Sequence, residues 1–321
     1  MGYWQVSADT LARGRFTVSP LSETIAGLIL LATGSPAHPG ERAWLDAHRP
    51  AFRDLLAADP VTALLVRGAL GRHWIADFLT PPPSGGPERT FEDELRVIRD
   101  TPADVARADL AVALGGPLPA ALDRDDLPVR TAALVEWVWR EAVLPDWPRR
   151  RRIIEADIVA RTERLSQGGW AAALTDLRPG MRWLGDGRLR INAHDRPPRE
   201  LTGAELVFVP VVPSRAWVAW RLPDRYAVIY PCAGQLVAER QAPAALSRLL
   251  GPARANVLVV LDTPKSTTQL VALTGQGLGS VGRHLKILLD AGLIRRRRSG
   301  RSVLYWRTRT GDALATGGES P

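Results

Sequence analysis

The sequence predicts an α+β protein with a mainly helical N-terminal domain over residues 1–180, a small β-rich region over 181–240 and a basic domain over 241–312. Three observations predict this division. Apolar residues recur at helical spacing in the first part, the period changes to two after about residue 180, and the excess positive charge lies near the C-terminus. A disordered tail over 313–321 completes the predicted organisation.

Length and composition favour a globular protein with more than one folding unit. A chain of 321 residues is longer than a domain with a single hydrophobic core usually is. Its content of 45% hydrophobic and 24% charged residues is typical of globular chains. The longest apolar run, residues 25–32, is shorter than the roughly 20 residues that cross a bilayer, and the first residues lack the pattern of a signal peptide. The single cysteine, Cys232, excludes a disulfide framework. We therefore expect a cytoplasmic protein without a membrane segment.

The net charge of +8 is unevenly distributed along the chain. Residues 251–321 contain eleven Arg or Lys and four Asp or Glu, a net of +7, whereas the first 250 residues contain 31 basic and 30 acidic residues. Only two of the basic residues are lysine, so the position of the arginines is more informative than their number. This distribution is expected of a nucleic-acid-binding module attached to a near-neutral body.

Several helices are predicted in the first part of the chain. Ser19 can cap a helix that begins at Pro20, and the prolines and glycines of residues 79–88 predict a loop. Further helices are predicted over residues 62–79, 103–114, 130–144 and 149–165. The last begins with four arginines, residues 149–152. Because Arg151 can pair with Glu155 one turn later, we expect this run to be a charge-compensated, solvated helix surface.

A small antiparallel sheet is predicted between residues 181 and 234. The segments 205–212, 216–220 and 225–231 are rich in β-branched and aromatic residues and are separated by turn residues. Five aromatic side chains of this region form a candidate effector pocket, with a hydrophobic core or a dimer face as the alternative: Trp183, Trp217, Trp220, Tyr226 and Tyr230.

The C-terminal domain has the pattern of a helix-turn-helix. Two helices are predicted over residues 242–262, with a break at Gly251. Ser266 and Gln269 then have the spacing of a capping box and open a short helix that ends at Gly275. A second helix follows, with an apolar stripe expected to face inward, formed by Leu278, Val281, Leu285 and Leu288. Its basic polar face, with Ser280, Arg283 and Lys286, is suited to a major groove.

The segment after this helix predicts a β-wing. Residues 293–309 contain seven arginines and no acid, and Ser299 with Gly300 can form a tight hairpin turn. Arg283 can donate two hydrogen bonds to guanine, Lys286 suits a phosphate, and arginines at the tip can reach the backbone or minor groove. His284, beside the apolar stripe, more commonly has a packed role. The residues expected at the interface are Thr267, Thr268, Gln276, Ser280, Arg283, His284, Lys286, Arg297, Arg298 and Arg301.

Residues 267–308 resemble the winged helix-turn-helix domain of the ArsR-like bacterial transcriptional regulators, including the RHLKIL and AGLI elements before the wing. Residues 15–32 and 146–165 also resemble the long N-terminal region of a subgroup from high-GC bacteria. The resemblance implies a sequence-specific, nucleoid-associated repressor or activator. Such a regulator is usually a homodimer on a near-palindromic operator of double-stranded DNA, and its affinity changes with a signal, which for this chain would be an unknown small-molecule effector.

The chain departs from the metal-sensing members of that family. Those members place cysteines on the first helix of the motif, or acidic and histidine ligands near the C-terminus. Here residues 267–275 contain no Cys, His or acid, and only Asp312 and Glu319 follow Arg309. We therefore expect no metal site and no cofactor. An effector site, if present, is expected in the N-terminal or β-rich region.

Enzyme signatures are weak. The GQGLG stretch beginning at Gly275 lies between two helices rather than after a strand, and neither a GxxxxGK loop nor a GxSxG elbow occurs. His73 and Asp77 are four residues apart in a predicted helix, where a surface polar pair is the simpler interpretation. We therefore expect no enzymatic activity. A winged-helix DNA-repair or DNA-processing enzyme, or a non-specific architectural DNA-binding protein, remains the alternative.

Overall fold

The protein has mixed α and β structure. The computed structural model describes residues 2–71, 74–84, 89–175, 177–191, 197–232, 242–262, 264–299 and 302–316. His73, Gly300 and Arg301 lie outside these residues. None of the helices in the described ranges is long and apolar enough to cross a membrane.

The chain divides into two compact units. The first comprises residues 1–148 and 170–236, and the second comprises residues 149–169 and 237–321. The β-rich region therefore does not stand apart from the helices before it, and a helical segment near the middle of the sequence belongs with the C-terminal unit. The predicted boundaries at 180 and 240 were drawn from local composition, which carries no information about pairing between distant segments.

The first unit contains seven complete α-helices among the described residues and both ends of an eighth. Their bounds are α1 (Ala8–Ala12), α2 (Pro20–Thr33), α3 (Pro39–Ala58), α4 (Pro60–Ala69), α5 (Phe91–Arg99), α6 (Ala103–Leu114), α7 (Leu127–Val138) and α8 (Trp147–Ala173). The predicted start of α2 is confirmed, since the Ser19 hydroxyl accepts a hydrogen bond from the Ser22 amide at 3.0 Å and Pro20 lies in the first turn. Non-helical backbone at Gly168 and Gly169 interrupts α8.

One predicted helix, over residues 62–79, is too long. The helix α4 ends at Ala69, Leu70 then pairs with Ile75, and Asp77 lies in a short 3-10 turn. A Cβ at Gly71 would lie 2.0 Å from the Ala113 carbonyl oxygen, so the chain passes close to another backbone at this point. Asp77 therefore does not lie in the expected α-helix, and His73 is outside the described residues.

Two four-stranded sheets complete the first unit. Their strands are β1 (Tyr3–Val6), β2 (Arg15–Phe16), β3 (Arg182–Gly185), β4 (Arg188–Arg190), β5 (Arg199–Leu201), β6 (Glu205–Val211), β7 (Trp217–Arg221) and β8 (Arg225–Pro231). The strand orders are β3-β4-β1-β5 and β2-β6-β8-β7. The predicted antiparallel sheet is wrong, because β1 with β5, β2 with β6 and β6 with β8 are parallel pairs. Alternation of side chains indicates a strand but not the direction of its partner.

The sheet that contains β6 and β8 is buried on both faces. Val207, Val209 and Ile229 pack in a cluster with the helices, whereas Phe208 and Tyr230 pack on the other face with residues such as Trp4 and Leu174. Burial on both faces explains why β6 and β8 are almost continuously apolar rather than alternating.

Glu94 belongs to α5, and its buried carboxyl group lies at the N-terminus of α2. It accepts hydrogen bonds from the Leu21 amide at 2.9 Å and from the Ser19 hydroxyl at 3.0 Å. Burial raises the pKa of Glu94 from 4.5 to about 7, although these two hydrogen bonds favour the ionised form. The folded protein therefore holds this proton more tightly than the unfolded chain does.

We expect Glu94 to make stability fall as the pH rises. Its contribution is fully present below pH 4.5 and is lost as the pH rises through about 7, so the free energy of unfolding should fall by roughly 2 to 3 kcal/mol between pH 5 and pH 8. Glu94→Gln should remove this part of the dependence. Urea unfolding at pH 5 and pH 8 measures the free energy of unfolding of each variant. The control is Glu92→Gln, at an exposed position of the same helical turn. Identical pH dependence in Glu94→Gln and the wild type would contradict the assignment.

The second unit combines helices with one three-stranded sheet. Besides residues 149–169 of α8, its described elements are α9 (Ala244–Leu250), α10 (Pro252–Val260), β9 (Lys265–Ser266), α11 (Thr267–Thr274), α12 (Leu278–Asp290), β10 (Ile294–Ser299), β11 (Ser302–Arg307) and α13 (Arg309–Thr316). The sheet has the order β10-β11-β9. The helices expected on either side of Gly251 are confirmed as α9 and α10.

The predicted disordered tail begins inside a helix. Residues 313–316 belong to α13, and residues 317–321 lie outside the described part. The Thr308 hydroxyl accepts a hydrogen bond from the Gly311 amide at 3.2 Å, and Ala315 is buried in the core of this unit. This short helix was missed because only its cap and one buried alanine mark it in the sequence.

Candidate nucleic-acid interface

The two helices α11 and α12 follow each other across a short turn. The predicted capping box is present, because the Ser266 hydroxyl accepts from the Gln269 amide at 3.3 Å and the Gln269 side chain accepts from the Ser266 amide at 2.8 Å. Gly275 ends α11 with φ of 68°, in the left-handed region that favours glycine. The local signals in the sequence therefore fixed both the start and the end of this helix.

The helix α12 has one buried and one basic face. Val281, Leu285 and Leu288 are buried, while Arg283 and Lys286 are exposed. Leu278, predicted to belong to the inward stripe, is instead 63% exposed. Side chains of a helix lean toward its N-terminus, and Leu278 is the first residue of α12, so its side chain has no preceding turn to pack upon.

Three other predicted contacts form a polar network at the start of α12. The Ser280 hydroxyl donates to Gln276 Oε1 at 3.5 Å and lies 3.3 Å from His284 Nε2, and Gln276 Nε2 donates to the Ala253 carbonyl at 3.1 Å. Burial, then the positive charges of Arg254 and Arg283, lower the pKa of His284. Through Gln276, this network connects the start of α12 to α10.

The predicted contacts at the start of α11 are exposed to different degrees. Thr268 is exposed and Thr267 is half-buried. Both lie in the first turn, directly after the capping residue Ser266. Of the two, Thr268 is the more exposed residue.

The strands β10 and β11 form a hairpin that carries four exposed arginines. Arg295 and Arg297 lie opposite Trp306 and Leu304, whereas Arg296 and Arg298 lie opposite Tyr305 and Val303. Residues directly opposite each other share one face of the sheet, and Tyr305 is buried in the core of this unit. Arg297 therefore lies on the face away from the core, and Arg298 lies on the core side. Arg301 is outside the described residues.

The arginine run at residues 149–152 is not the solvated surface that was predicted. None of its four side chains is fully exposed, and Arg150 is completely buried. The predicted pair does form, with Arg151 Nε 2.8 Å from Glu155 Oε1. A helical wheel places charges relative to their own helix only, so it could not show that this segment packs within the C-terminal unit.

Arg152 was missed as a candidate for the interface. A Cβ on Gly275 would lie 3.9 Å from Arg152 Cδ and 4.0 Å from Arg152 Nε, which places this side chain beside the turn between α11 and α12. Residues 152 and 275 are far apart in the sequence, and no local pattern connects them.

The five aromatic residues of the candidate effector pocket do not all lie in one cluster. Trp217 packs in the cluster with the helices, whereas Tyr226 and Tyr230 are buried in the other cluster, and Trp183 and Trp220 are half-buried against it. Trp220 also contacts the ring of Trp74, with centroids 5.3 Å apart, and the Arg199 guanidinium lies 4.1 Å above it. Their placement agrees with the alternative interpretation as core.

Among the described residues, no three His, Cys, Asp or Glu side chains are grouped in a way that could hold a metal ion. No family model, curated protein or solved structure matches the chain. The resemblance to the ArsR-like regulators therefore stays a prediction.

Proposed function

We propose that the C-terminal unit is a winged helix-turn-helix that binds double-stranded DNA in a sequence-specific manner, and that the protein is a transcriptional regulator. One observation carries the proposal. The buried face of α12 fixes this helix to its unit while Arg283 and Lys286 remain exposed, and the adjoining hairpin of the same unit carries four exposed arginines.

The dimensions and chemistry of α12 suit a major groove. Its 13 residues span about 20 Å, and a helix fits into a groove roughly 12 Å wide. The planar guanidinium of Arg283 can donate two hydrogen bonds to O6 and N7 of guanine. Lys286, one turn further along, suits a phosphate. In this arrangement Arg283 distinguishes between bases, and Lys286 fixes the position of α12 on the duplex by binding a phosphate.

The hairpin supplies contacts that do not depend on sequence. Arg297 lies on the face away from the core and is exposed, so it can bind a phosphate or enter the adjoining minor groove. Arg307 pairs with Asp312, but seven arginines without an acid between residues 293 and 309 still give this part of the chain a positive potential. The affinity should therefore depend steeply on salt concentration.

The proposal includes a homodimer that works on the nucleoid in the bacterial cytoplasm, without a metal or cofactor and without catalytic activity. Two copies of α12 related by a dyad would read half-sites about one helical turn, or a multiple of it, apart. The first unit would then supply dimerisation or a response to a small-molecule effector.

Selection of duplexes from a random pool tests this proposal. The full-length protein is incubated with the pool at near-physiological salt, and the bound duplexes are sequenced over successive rounds. We expect enrichment of a near-palindromic motif that contains guanine in each half-site. A bound fraction with the composition of the starting pool would overturn sequence-specific binding.

A further inference from the structure

Two arginines outside the helix-turn-helix pattern lie beside the first half of α12. Arg152, from α8, is adjacent to the turn at Gly275. Arg254, in the first turn of α10, follows Ala253, whose carbonyl oxygen accepts the hydrogen bond from Gln276. The charge of Arg254 is also close enough to His284 to lower the pKa of the imidazole. Both side chains therefore flank the segment that begins α12.

Neither arginine has a counter-charge among the residues that the structure describes. Each is half-buried, and in each case the Nε atom is buried without a hydrogen-bond partner. No carboxylate of the described ranges lies within ion-pair distance of Arg152 or Arg254. The neighbouring Arg151 differs, since its Nε is bonded to Glu155.

A guanidinium Nε that is buried without an acceptor costs free energy, and a ligand that brings negative charge to the group offsets part of that cost. A phosphate suits this requirement, because its oxygens accept two parallel hydrogen bonds from one guanidinium group. The phosphate strands form the walls of the major groove. Side chains that flank the first half of a helix in that groove would therefore lie near a phosphate strand.

We propose that Arg152 and Arg254 bind backbone phosphates of the duplex at the edge of the groove that α12 enters. This inference rests on the proposed function and extends the DNA-binding surface to α8 and α10. It also gives a function to one arginine of the run at residues 149–152. These contacts should strengthen binding to every duplex and leave base preference unchanged.

Salt dependence of binding tests the inference. Fluorescence anisotropy with a duplex selected by the wild type and with a random duplex, over a series of salt concentrations, gives the slope of log K against log salt. Arg152→Gln and Arg254→Gln should each weaken both duplexes roughly tenfold at low salt and make the slope shallower by about one. The double variant should change the slope by about two.

Two further variants separate charge from structure. Arg151→Gln removes a charge from the same run, but one already paired with Glu155, and should keep the wild-type slope. Arg152→Lys keeps the charge and should retain most of the slope, whereas a purely structural role would be lost equally in Arg152→Lys and Arg152→Gln. Urea unfolding of each variant identifies any loss of folding.

The outcomes distinguish this inference from the proposed function. One outcome is that the wild type prefers its selected duplex while the folded variants Arg152→Gln and Arg254→Gln keep the wild-type slope of log K against log salt. That result would overturn the phosphate contacts and leave the proposed regulatory function standing. Equal loss of slope in Arg152→Lys and Arg152→Gln would also overturn the contact of Arg152. Wild-type protein that binds no duplex at any salt concentration would overturn both.

Discussion

Arg283→Ala should lower the affinity for the preferred duplex by about 1 to 3 kcal/mol and relax base preference at one position of each half-site. Arg283 is exposed on α12, on the opposite side from the buried Val281 and Leu285, so truncation should not disturb the core. The affinity for random duplex should fall much less. Anisotropy with the preferred duplex and with single-base variants of it measures both effects.

Two matched variants sharpen this expectation. Arg283→Lys keeps the positive charge but loses the two-pronged donor, so it should lose base discrimination while random duplex is bound almost as well as by the wild type. Arg297→Ala, on the outer face of the hairpin, should weaken all duplexes similarly and make the salt slope shallower by about one. Equal effects of Arg283→Ala and Arg297→Ala on preferred and random DNA would contradict this division of roles.

Leu285→Ala should destabilise the C-terminal unit by roughly 2 to 5 kcal/mol. Leu285 is 2% exposed and packs in the core of this unit with Val281, Leu288 and Tyr305. The change leaves a cavity under the helix that carries Arg283, so binding to DNA should fail at lower temperature or lower urea than in the wild type. Specific and random duplexes should be lost together, because the whole unit unfolds.

The control for this prediction lies on the same helix. Leu278 is 63% exposed, so Leu278→Ala should change the free energy of unfolding by less than about 0.5 kcal/mol. Trp306 is the only tryptophan between residues 237 and 321, and fluorotryptophan at this position reports unfolding of the unit by fluorine NMR. Similar destabilisation by Leu278→Ala and Leu285→Ala would show that the buried face of α12 is wrongly assigned.

Features that depend on neighbouring residues were predictable from the sequence. The caps of α2 and α11, the break at Gly251 and the buried triplet of α12 follow from residues at most a few turns apart. Each is determined by backbone hydrogen bonds or helical periodicity within its own segment. The same holds for the pairing of β10 with β11, whose strands are close in sequence.

Features that depend on distant segments were not predictable. The strands β1 and β2 pair with strands that follow α8, which sets the parallel directions and joins the β-rich region to the helical one. The position of Arg152 beside Gly275 also depends on a contact across more than 100 residues. Local periodicity contains no information on such contacts, so the sequence analysis did not include Arg152 or Arg254 among the candidate DNA-binding residues.

Competition between duplexes tests the central claim most directly. Full-length protein bound to a labelled duplex from the selection is challenged, at near-physiological salt, with an excess of either the same duplex without label or an unrelated one of equal length. A sequence-specific regulator should be displaced by the identical duplex at roughly a thousandfold lower concentration than by the unrelated one. Displacement by both duplexes at the same concentration would contradict the account.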